Sequence, residues 1–116
     1  RVVIEAFLDA SGLRDCFRVV MSSEEVPRGK PAPDVYLAVL QAIACDAHLA
    51  VAVEDSANGI RAAVAAGTRV VAIPNRTFPP PPDVVSMADV VLGSVAELTP
   101  VTVRGLTDDR WNRASR

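Results

Sequence analysis

Short apolar runs alternate with helical patterns along this chain, and this alternation limits the folds open to it. Apolar runs occupy residues 50–53 and 70–73, and a short final strand is predicted at residues 89–92. The stretches after Asp34 and after Ser56 place apolar side chains at helical spacing. Strands that alternate with helices are typical of right-handed βαβ units built on a parallel sheet. The sequence therefore predicts an α/β fold.

The composition agrees with one small α/β domain. The chain has 116 residues, of which 50% are hydrophobic and only 4% aromatic. Such a chain is too apolar to be disordered, and its core must be built from Val, Ala, Leu and Ile, as in buried parallel strands. With a net charge of −2 and no basic run, nucleic acid is not an expected partner. No apolar run approaches the ~20 residues of a membrane helix, so no membrane partner is expected either.

The two cysteines and the first residues give two further expectations. Cys16 and Cys45 lack the spacing of a metal site, which predicts two buried free thiols and a cytoplasmic location. The chain begins in a helical pattern over residues 1–10 with no capping residue before Arg1. Because natural helices usually begin after Ser, Thr, Asp or Asn, we expect polypeptide to precede Arg1.

Lys30 is the only lysine among twelve basic residues, and it lies in the Pro-rich loop of residues 24–33. An ammonium is a compact point charge that suits a single phosphate or carboxylate oxygen, whereas arginine is a planar fork. A neighbouring proline also restricts the path of the lysine side chain. Lys30 is therefore a candidate for neutralising a phosphate or holding a carboxylate; the alternative is an ordinary solvated surface lysine.

Glu54 and Asp55 end the apolar run of residues 50–53, where an open α/β sheet places its ligand-binding groups. Two adjacent carboxylates cannot both be buried unpaired, and Mg²⁺ is a cation that takes such oxygen ligands together with phosphate. The alternative is capping, because acidic residues before a helix interact well with its N-terminal dipole.

Small polar residues follow the acidic pair. Ser56 and Asn58 stand at the start of a helical pattern, where backbone N–H groups can face an anion. An ordinary capped turn explains them equally well. Ser22 and Ser23, which follow a predicted short strand at residues 19–21, are candidates for hydrogen bonds to the same site, although capping of the next loop is favoured.

Two motifs together resemble the haloacid dehalogenase superfamily of phosphatases, in its β-phosphoglucomutase-like branch. Residues 29–34 (GKPAPD) match the family's G-K-P-x-P-[DE] segment, and residues 54–60 (EDSANGI) match its E-D-S-x-x-G-I segment. Ala66 and Gly67 match the A-G that precedes the family's next strand.

The resemblance implies a Rossmann-like three-layer sandwich and a Mg²⁺-dependent transfer of a phosphoryl group from a small phosphorylated substrate to an aspartate. In such enzymes the lysine, here Lys30, is catalytic: it stabilises the nucleophile and contacts the phosphoryl group. Asp55 would be a direct metal ligand and Glu54 a direct or water-mediated one. Ser56 and Asn58 would contact phosphate or substrate.

The chain departs from the family pattern in two respects. The nucleophile motif D-x-D-x-[TV] does not occur in it, and neither does the helical cap that determines specificity in this branch. We therefore expect residues 1–100 to be the C-terminal portion of a core domain, with a gap in the sheet beside residues 50–53, and residues 101–116 to be a polar tail. The missing N-terminal half would be a partner, and the chain alone would be inactive.

Two other functions stay open. One is a non-catalytic remnant that binds a partner through an exposed sheet edge. The other is a receiver-type signalling domain, which is disfavoured because its lysine follows the acidic pair along the chain, whereas Lys30 precedes it. Neither the substrate nor the choice between hydrolase and mutase follows from these residues.

Overall fold

The computed structural model describes residues 2–108, which form an α/β arrangement of five helices and three strands. The helices are α1 (Val2–Ser11), α2 (Asp34–Ala42), α3 (Ala57–Ala65), α4 (Pro82–Val85) and α5 (Pro100–Thr107), and the strands are β1 (Val51–Glu54), β2 (Arg69–Ala72) and β3 (Val90–Val91). Short 3₁₀ turns lie at Arg14–Cys16, Ser23–Glu25, Ala47–Leu49 and Val95–Glu97.

The three strands form one parallel sheet in the order β1-β2-β3. Glu54 at the end of β1 lies opposite Ala72 at the end of β2, and Ala72 lies opposite Val91 of β3. All three carboxyl ends therefore lie along the same rim of the sheet. This confirms the predicted α/β fold with a parallel sheet, and it places the loops after the strands where such sheets bind ligands.

Helix α3 begins and ends as its sequence predicts. The Ser56 hydroxyl caps it by accepting a hydrogen bond from the Gly59 N–H (3.1 Å). Gly67 follows the last turn with a φ of +85°, a conformation that a side chain disfavours. Between these ends the apolar face of α3 packs on β1 and β2, where Ile60 and its neighbours form the core of the described region: Ala52, Ile60, Ala63, Val70, Ala72 and Val84.

The second face of the sheet is covered unevenly. Val71, on the face opposite Val70, is fully buried (0% exposed), whereas its register partner Val53 in β1 is 44% exposed. Within residues 2–108, β1 pairs with β2 alone, so its other edge has no strand beside it. The gap beside residues 50–53 stays a prediction, which concerns this edge of the sheet.

Residues 100–107 form helix α5. The prediction of a polar tail over residues 101–116 is therefore wrong for residues 101–107. The Thr99 hydroxyl caps it, accepting from the Thr102 N–H (3.3 Å), and Pro100 stands in its first turn. Leu106 is buried, and the helix contacts β1. Of its apolar residues Val101, Val103 and Leu106, only the last two stand at helical spacing, which is too weak a periodicity to predict the helix. Residues 109–116 of the expected tail lie outside the described residues.

The predicted helix at residues 1–10 corresponds to α1, whereas the predicted strand at residues 19–21 is wrong. Gly12 ends α1 with a φ of +71°, and its N–H donates to the Leu8 carbonyl (3.1 Å). Residues 19–21 adopt no regular structure. An apolar run becomes a strand only where a neighbouring strand bonds to it, and no described strand pairs with these residues.

Two smaller expectations concern the thiols and the membrane. Cys16 and Cys45 are free, as predicted, but Cys16 is exposed and Cys45 only partly covered, so the expectation that both are buried is wrong. Each lies in or beside a turn rather than on a core face, which explains the exposure. None of the helices described between residues 2 and 108 has the length and apolar character needed to cross a bilayer.

Candidate functional site

Lys30 and Glu54 meet at the carboxyl rim of the sheet. The Lys30 ammonium donates to Glu54 Oε1 over 2.7 Å, although 24 residues separate the two in sequence. The Glu54 side chain is only 8% exposed, while that of Lys30 is 37% exposed. The pair is therefore anchored on its acidic side and open to solvent on its basic side. Charge-assisted bonds of this kind are stronger than bonds between neutral groups.

Tyr36 of α2 is the third member of this cluster. Its hydroxyl donates to the same oxygen, Glu54 Oε1, and the Lys30 ammonium lies 5.3 Å from the centre of its ring. That distance is within the range of a cation–π contact. Burial and, to a smaller extent, the bond to the Glu54 carboxylate raise the pKa of the Tyr36 hydroxyl well above its usual value. Tyr36 therefore stays protonated and acts as a donor.

Gly59 provides the space that the Glu54 carboxylate occupies. It lies in the first turn of α3 and is buried, and a Cβ added there would overlap both carboxylate oxygens of Glu54. The carboxylate thus packs directly against the backbone at the start of α3. A helix N-terminus favours negative charge, which helps to offset the cost of burying Glu54.

Asp55 is exposed beside this cluster and contacts the loop after β2. The Asn75 side-chain amide donates to Asp55 Oδ2 (3.3 Å), and the Asn75 N–H donates to the Asp55 carbonyl (3.0 Å). The Asn75 side-chain oxygen accepts from the N–H groups of Thr77 and Phe78 (2.9 Å each), which fixes the orientation of the amide. Asp55 is therefore held by its neighbour while remaining open to solvent.

The remaining predicted site residues, Ser56 and Asn58, lie at the start of α3, and two side chains that were not predicted to belong to the site, Arg76 and His48, have other surroundings. Ser56 uses its hydroxyl oxygen as the cap of α3, and Asn58 is exposed on the first turn of the same helix. Arg76, in the loop after β2, reaches the Gly93 carbonyl (3.5 Å) after β3. His48 lies exposed in a 3₁₀ turn before β1.

Ser22 and Ser23 border a cavity next to Lys30. Ser22 forms a reciprocal capping box, in which its N–H donates to Glu25 Oε2 (2.7 Å) and its hydroxyl accepts from the Glu24 N–H (3.3 Å). The favoured capping role is therefore confirmed. The cavity has a volume of about 350 Å³ and is lined mainly by apolar side chains, with Lys30 and the Tyr36 ring at its border.

The Glu54 and Asp55 carboxylates at this rim are suitable ligands for a hard divalent cation. Mg²⁺ typically binds one or two carboxylates together with phosphate and water. Asp55 is the more available of the two, because Glu54 Oε1 already accepts from Lys30 and Tyr36. Over residues 2–108 no group of three or more His, Cys, Asp or Glu side chains is gathered, so the protein contributes few ligands here.

In the sequence, Tyr36 is one of the apolar-stripe residues that predict helix α2, together with Val39, Leu40 and Ile43, and this pattern gives no hint of its contacts with Lys30 and Glu54. One signal was available. Tyr36 is the only tyrosine of the chain and stands on the face of a helix that packs inward, where a hydroxyl requires a hydrogen-bond partner. The role of Gly59 could not be recognised from sequence, because the nearby carboxylate reaches it only after α3 folds back on β1.

Comparison with known proteins gives consistent matches. The family described as haloacid dehalogenase-like hydrolase matches residues 1–73. Hexitol phosphatase B of Escherichia coli K12 is 39% identical over 97 residues, which are 84% of this chain and 43% of that protein.

Two solved structures resemble the fold. CbbY from Rhodobacter sphaeroides in complex with phosphate has a TM-score of 0.60 and 38% identity, covering 69% of this chain and 35% of the other. A conserved haloacid dehalogenase-like protein from Agrobacterium tumefaciens has a TM-score of 0.75 and 27% identity, covering 90% and 50%. The chain thus spans half or less of the length of each of these three proteins.

Proposed function

Because the chain belongs to the haloacid dehalogenase-like hydrolase family, we propose that it contributes the lysine and the acidic pair of a Mg²⁺-dependent phosphoryl-transfer site. The reaction would transfer a phosphoryl group from a small phosphorylated metabolite to an aspartate. An aspartyl phosphate divides one difficult displacement into two easier steps. Such transfers depend mainly on positioning and on neutralising charge.

The contact between Lys30 and Glu54 carries this proposal. An ammonium 2.7 Å from a buried carboxylate, with Asp55 next along the chain, brings one positive and two negative groups to the rim where α/β sheets bind ligands. Lys30 has the more exposed side chain of the pair, so its ammonium can contact a phosphate oxygen while Glu54 restrains its position. The role of Lys30 is to hold the transferring group and neutralise its charge.

The acidic residues would hold the cation. Asp55, exposed and oriented by Asn75, would bind Mg²⁺ directly, and Glu54 would bind it directly or through water. When bound, Mg²⁺ would neutralise phosphate charge and orient the group. Ser56 and Asn58 would contact phosphate or substrate from the first turn of α3, where backbone N–H groups favour an anion.

The nucleophile would come from polypeptide outside these 116 residues, because their sequence has no D-x-D-x-[TV] motif. Two observations support this part of the proposal. Within residues 2–108 the strand β1 has a free edge, and Val53, on a sheet face of β1, is 44% exposed. A further parallel strand beside β1 would end at the same rim as Glu54 and would bring its last residues close to Lys30.

The substrate class is proposed from the relatives. One similar protein is named as a hexitol phosphatase, and another was solved in complex with phosphate. We infer a phosphorylated sugar or sugar alcohol, or a similar small phosphate ester, as the substrate. Hydrolase and mutase activities share these residues, so both belong to the proposal. The cytoplasmic location, and the absence of nucleic-acid and membrane partners, remain predictions.

A chimera tests the proposal. This chain would replace the matching segment of hexitol phosphatase B, whose remaining part would supply what these 116 residues lack. We expect Mg²⁺-dependent hydrolysis of p-nitrophenyl phosphate and of a hexitol phosphate. Lys30→Met and Asp55→Asn should each lower kcat at least about 100-fold, because charge stabilisation of the transition state is lost. His48→Ala, an exposed change away from the rim, is the matched control.

Three outcomes would count against the proposal. A folded chimera without activity would favour the second function, a non-catalytic domain that binds a partner along the free edge of β1. An active chimera that tolerates Lys30→Met would show that this lysine has no catalytic role. Hydrolysis of p-nitrophenyl phosphate by the purified 116-residue chain, which we expect to be inactive, would contradict the external nucleophile.

A further inference from the structure

We infer that Tyr36 is a positioning residue that holds Lys30 and Glu54 as one unit, an inference that rests on the function proposed for this rim. Tyr36 contacts Glu54 with its hydroxyl and Lys30 with its ring. Its hydroxyl donates to Glu54 Oε1, and its ring face lies beneath the Lys30 ammonium at 5.3 Å. It is the residue of this cluster that touches both members of the ion pair without carrying a charge.

The hydroxyl determines how the Glu54 carboxylate is oriented. Oε1 accepts from both Tyr36 and Lys30, so this oxygen is held at the lysine side of the cluster. The carboxylate has little room to rotate, because it already fills the place that a Cβ at Gly59 would occupy. Without the hydroxyl, only the flexible, partly exposed lysine would hold that oxygen, and its side chain has four rotatable bonds.

The ring determines where the ammonium rests. Lys30 lies in a loop rather than in a helix or strand, and its side chain is 37% exposed. A lysine in such surroundings samples many rotamers unless several contacts restrain it. The ring and the carboxylate together supply two restraints on the ammonium. The ammonium is thus placed before any substrate arrives, which is the condition that charge stabilisation in catalysis requires.

Tyr36 is itself rigidly placed. It stands in the first turn of α2 and packs against the core cluster formed by α3 and the sheet. Its side chain has only two rotatable torsions, so little entropy is lost in holding it. The core, through Tyr36, therefore fixes the position of the ion pair, and the loop that carries Lys30 does not. For this reason the inference concerns positioning, not contact with the reacting atoms.

The single lysine makes the test direct. Protein labelled with ¹³C and ¹⁵N in lysine gives one side-chain system, that of Lys30, and it can be observed by NMR without metal, substrate or activity. In the unaltered chain we expect the Lys30 ε-protons to be shifted upfield by the ring and to be inequivalent. Tyr36→Phe keeps the ring and should reduce the inequivalence, because the carboxylate is no longer fixed. Tyr36→Leu should also abolish the upfield shift.

Controls separate positioning from general loss of structure. Thr68→Val removes another buried hydroxyl, one that donates to the Ala63 carbonyl (2.9 Å) at the amino end of β2, and should leave the Lys30 signals unchanged. Glu54→Gln shows the signals expected when the ion pair is lost. Backbone amide spectra of all variants should retain native dispersion, so that only folded proteins are compared.

In the active chimera, Tyr36→Phe should lower kcat by about 10- to 100-fold while changing KM little, the size typical of residues that orient others. Lys30 signals that are the same in Tyr36→Phe and in the unaltered chain would overturn the inference, as would an upfield shift that survives Tyr36→Leu. These NMR outcomes do not depend on phosphoryl transfer. An inactive chimera with the expected Lys30 signals would therefore reject the proposed function and leave the positioning role standing.

Discussion

Two regions of this molecule bury their apolar side chains to very different extents. From β1 to β3, helix α3 and the sheet enclose a core in which Ile60 and Val71 have no exposed surface. Between residues 3 and 33, only Leu8 and Ser22 are buried, and Phe7 remains 62% exposed although it lies in a helix. We call residues 3–33 the first region and the part from β1 to β3 the second region. The second region encloses its apolar side chains by itself, whereas the first region leaves its apolar surface uncovered.

The difference follows from how each region is built. A parallel βαβ unit buries one face of its helix against both strands, so Ala52, Ile60 and Val70 cover one another. The first region has one helix, α1, and an irregular stretch at residues 19–21 without a strand partner. A lone amphipathic helix gains little stability by itself, because helical stability in proteins comes mostly from packing. The proposed site lies where the two regions meet.

The largest expected effect is in the core. Ile60→Ala removes three carbon atoms from a site with no access to solvent and should lower the free energy of unfolding by about 2–5 kcal/mol. Val101→Ala, in the exposed part of α5, is the control and should change it by less than about 0.5 kcal/mol. Urea denaturation of both variants measures the difference. Equal effects would show that the second region is not packed as described.

The second-largest effect is expected for the Lys30–Glu54 ion pair, which lies where the two regions meet. Lys30→Met leaves the buried Glu54 carboxylate without its cation and should destabilise the protein by about 1–3 kcal/mol. Arg28→Met breaks the pair with Asp34, in which the Arg28 side chain is 71% exposed and that of Asp34 12% exposed. Because the Arg28 guanidinium is largely solvated, this change should cost less than about 1 kcal/mol. Thermal denaturation at low and high salt compares the two. If the order were reversed, the Lys30–Glu54 pair would not anchor this junction.

Alanine substitutions at two helical glycines should change the free energy of unfolding by smaller amounts, and the two changes should have opposite signs. Gly59→Ala displaces the Glu54 carboxylate and should destabilise by about 1–2 kcal/mol, because overpacking outweighs the gain in helix propensity. Gly105→Ala, in α5, meets nothing within 4 Å and should stabilise by about 0.5–1 kcal/mol. Chemical denaturation gives the signs. Two stabilising substitutions would mean that the carboxylate of Glu54 does not lie against α3.

The smallest effect is expected in the first region. Phe7→Ser removes a large, mostly exposed apolar side chain and should change the free energy of unfolding by less than about 0.5 kcal/mol. Binding of a hydrophobic dye should fall, because the uncovered surface shrinks. A loss of stability comparable to that of Ile60→Ala would show that Phe7 is buried in solution and that the contrast between the regions is wrong.

Much of the second region could be predicted from the sequence because its signals are local. Ser56 as a cap and Gly67 beyond the last turn delimit α3, and the apolar runs on either side predict β1 and β2. The run at residues 19–21 has the same local character, yet it forms no strand. A strand needs a neighbour, and the identity of neighbours is not a local property. For the same reason the packing of α5 on the sheet was not predicted.

By itself, the sequence determined the type and order of β1, α3, β2 and β3, and it singled out Lys30, Glu54 and Asp55 as candidates. It could do so because periodicity, capping residues and unusual residue choices act over a few neighbouring positions. Only the tertiary structure decided that Lys30 donates to Glu54 across 24 residues, that the Tyr36 hydroxyl shares the same oxygen, and that Gly59 makes room for the carboxylate. Such contacts depend on how the loop before α2, the helix itself and the end of β1 meet in space, and burial then requires each polar group to find its partner there.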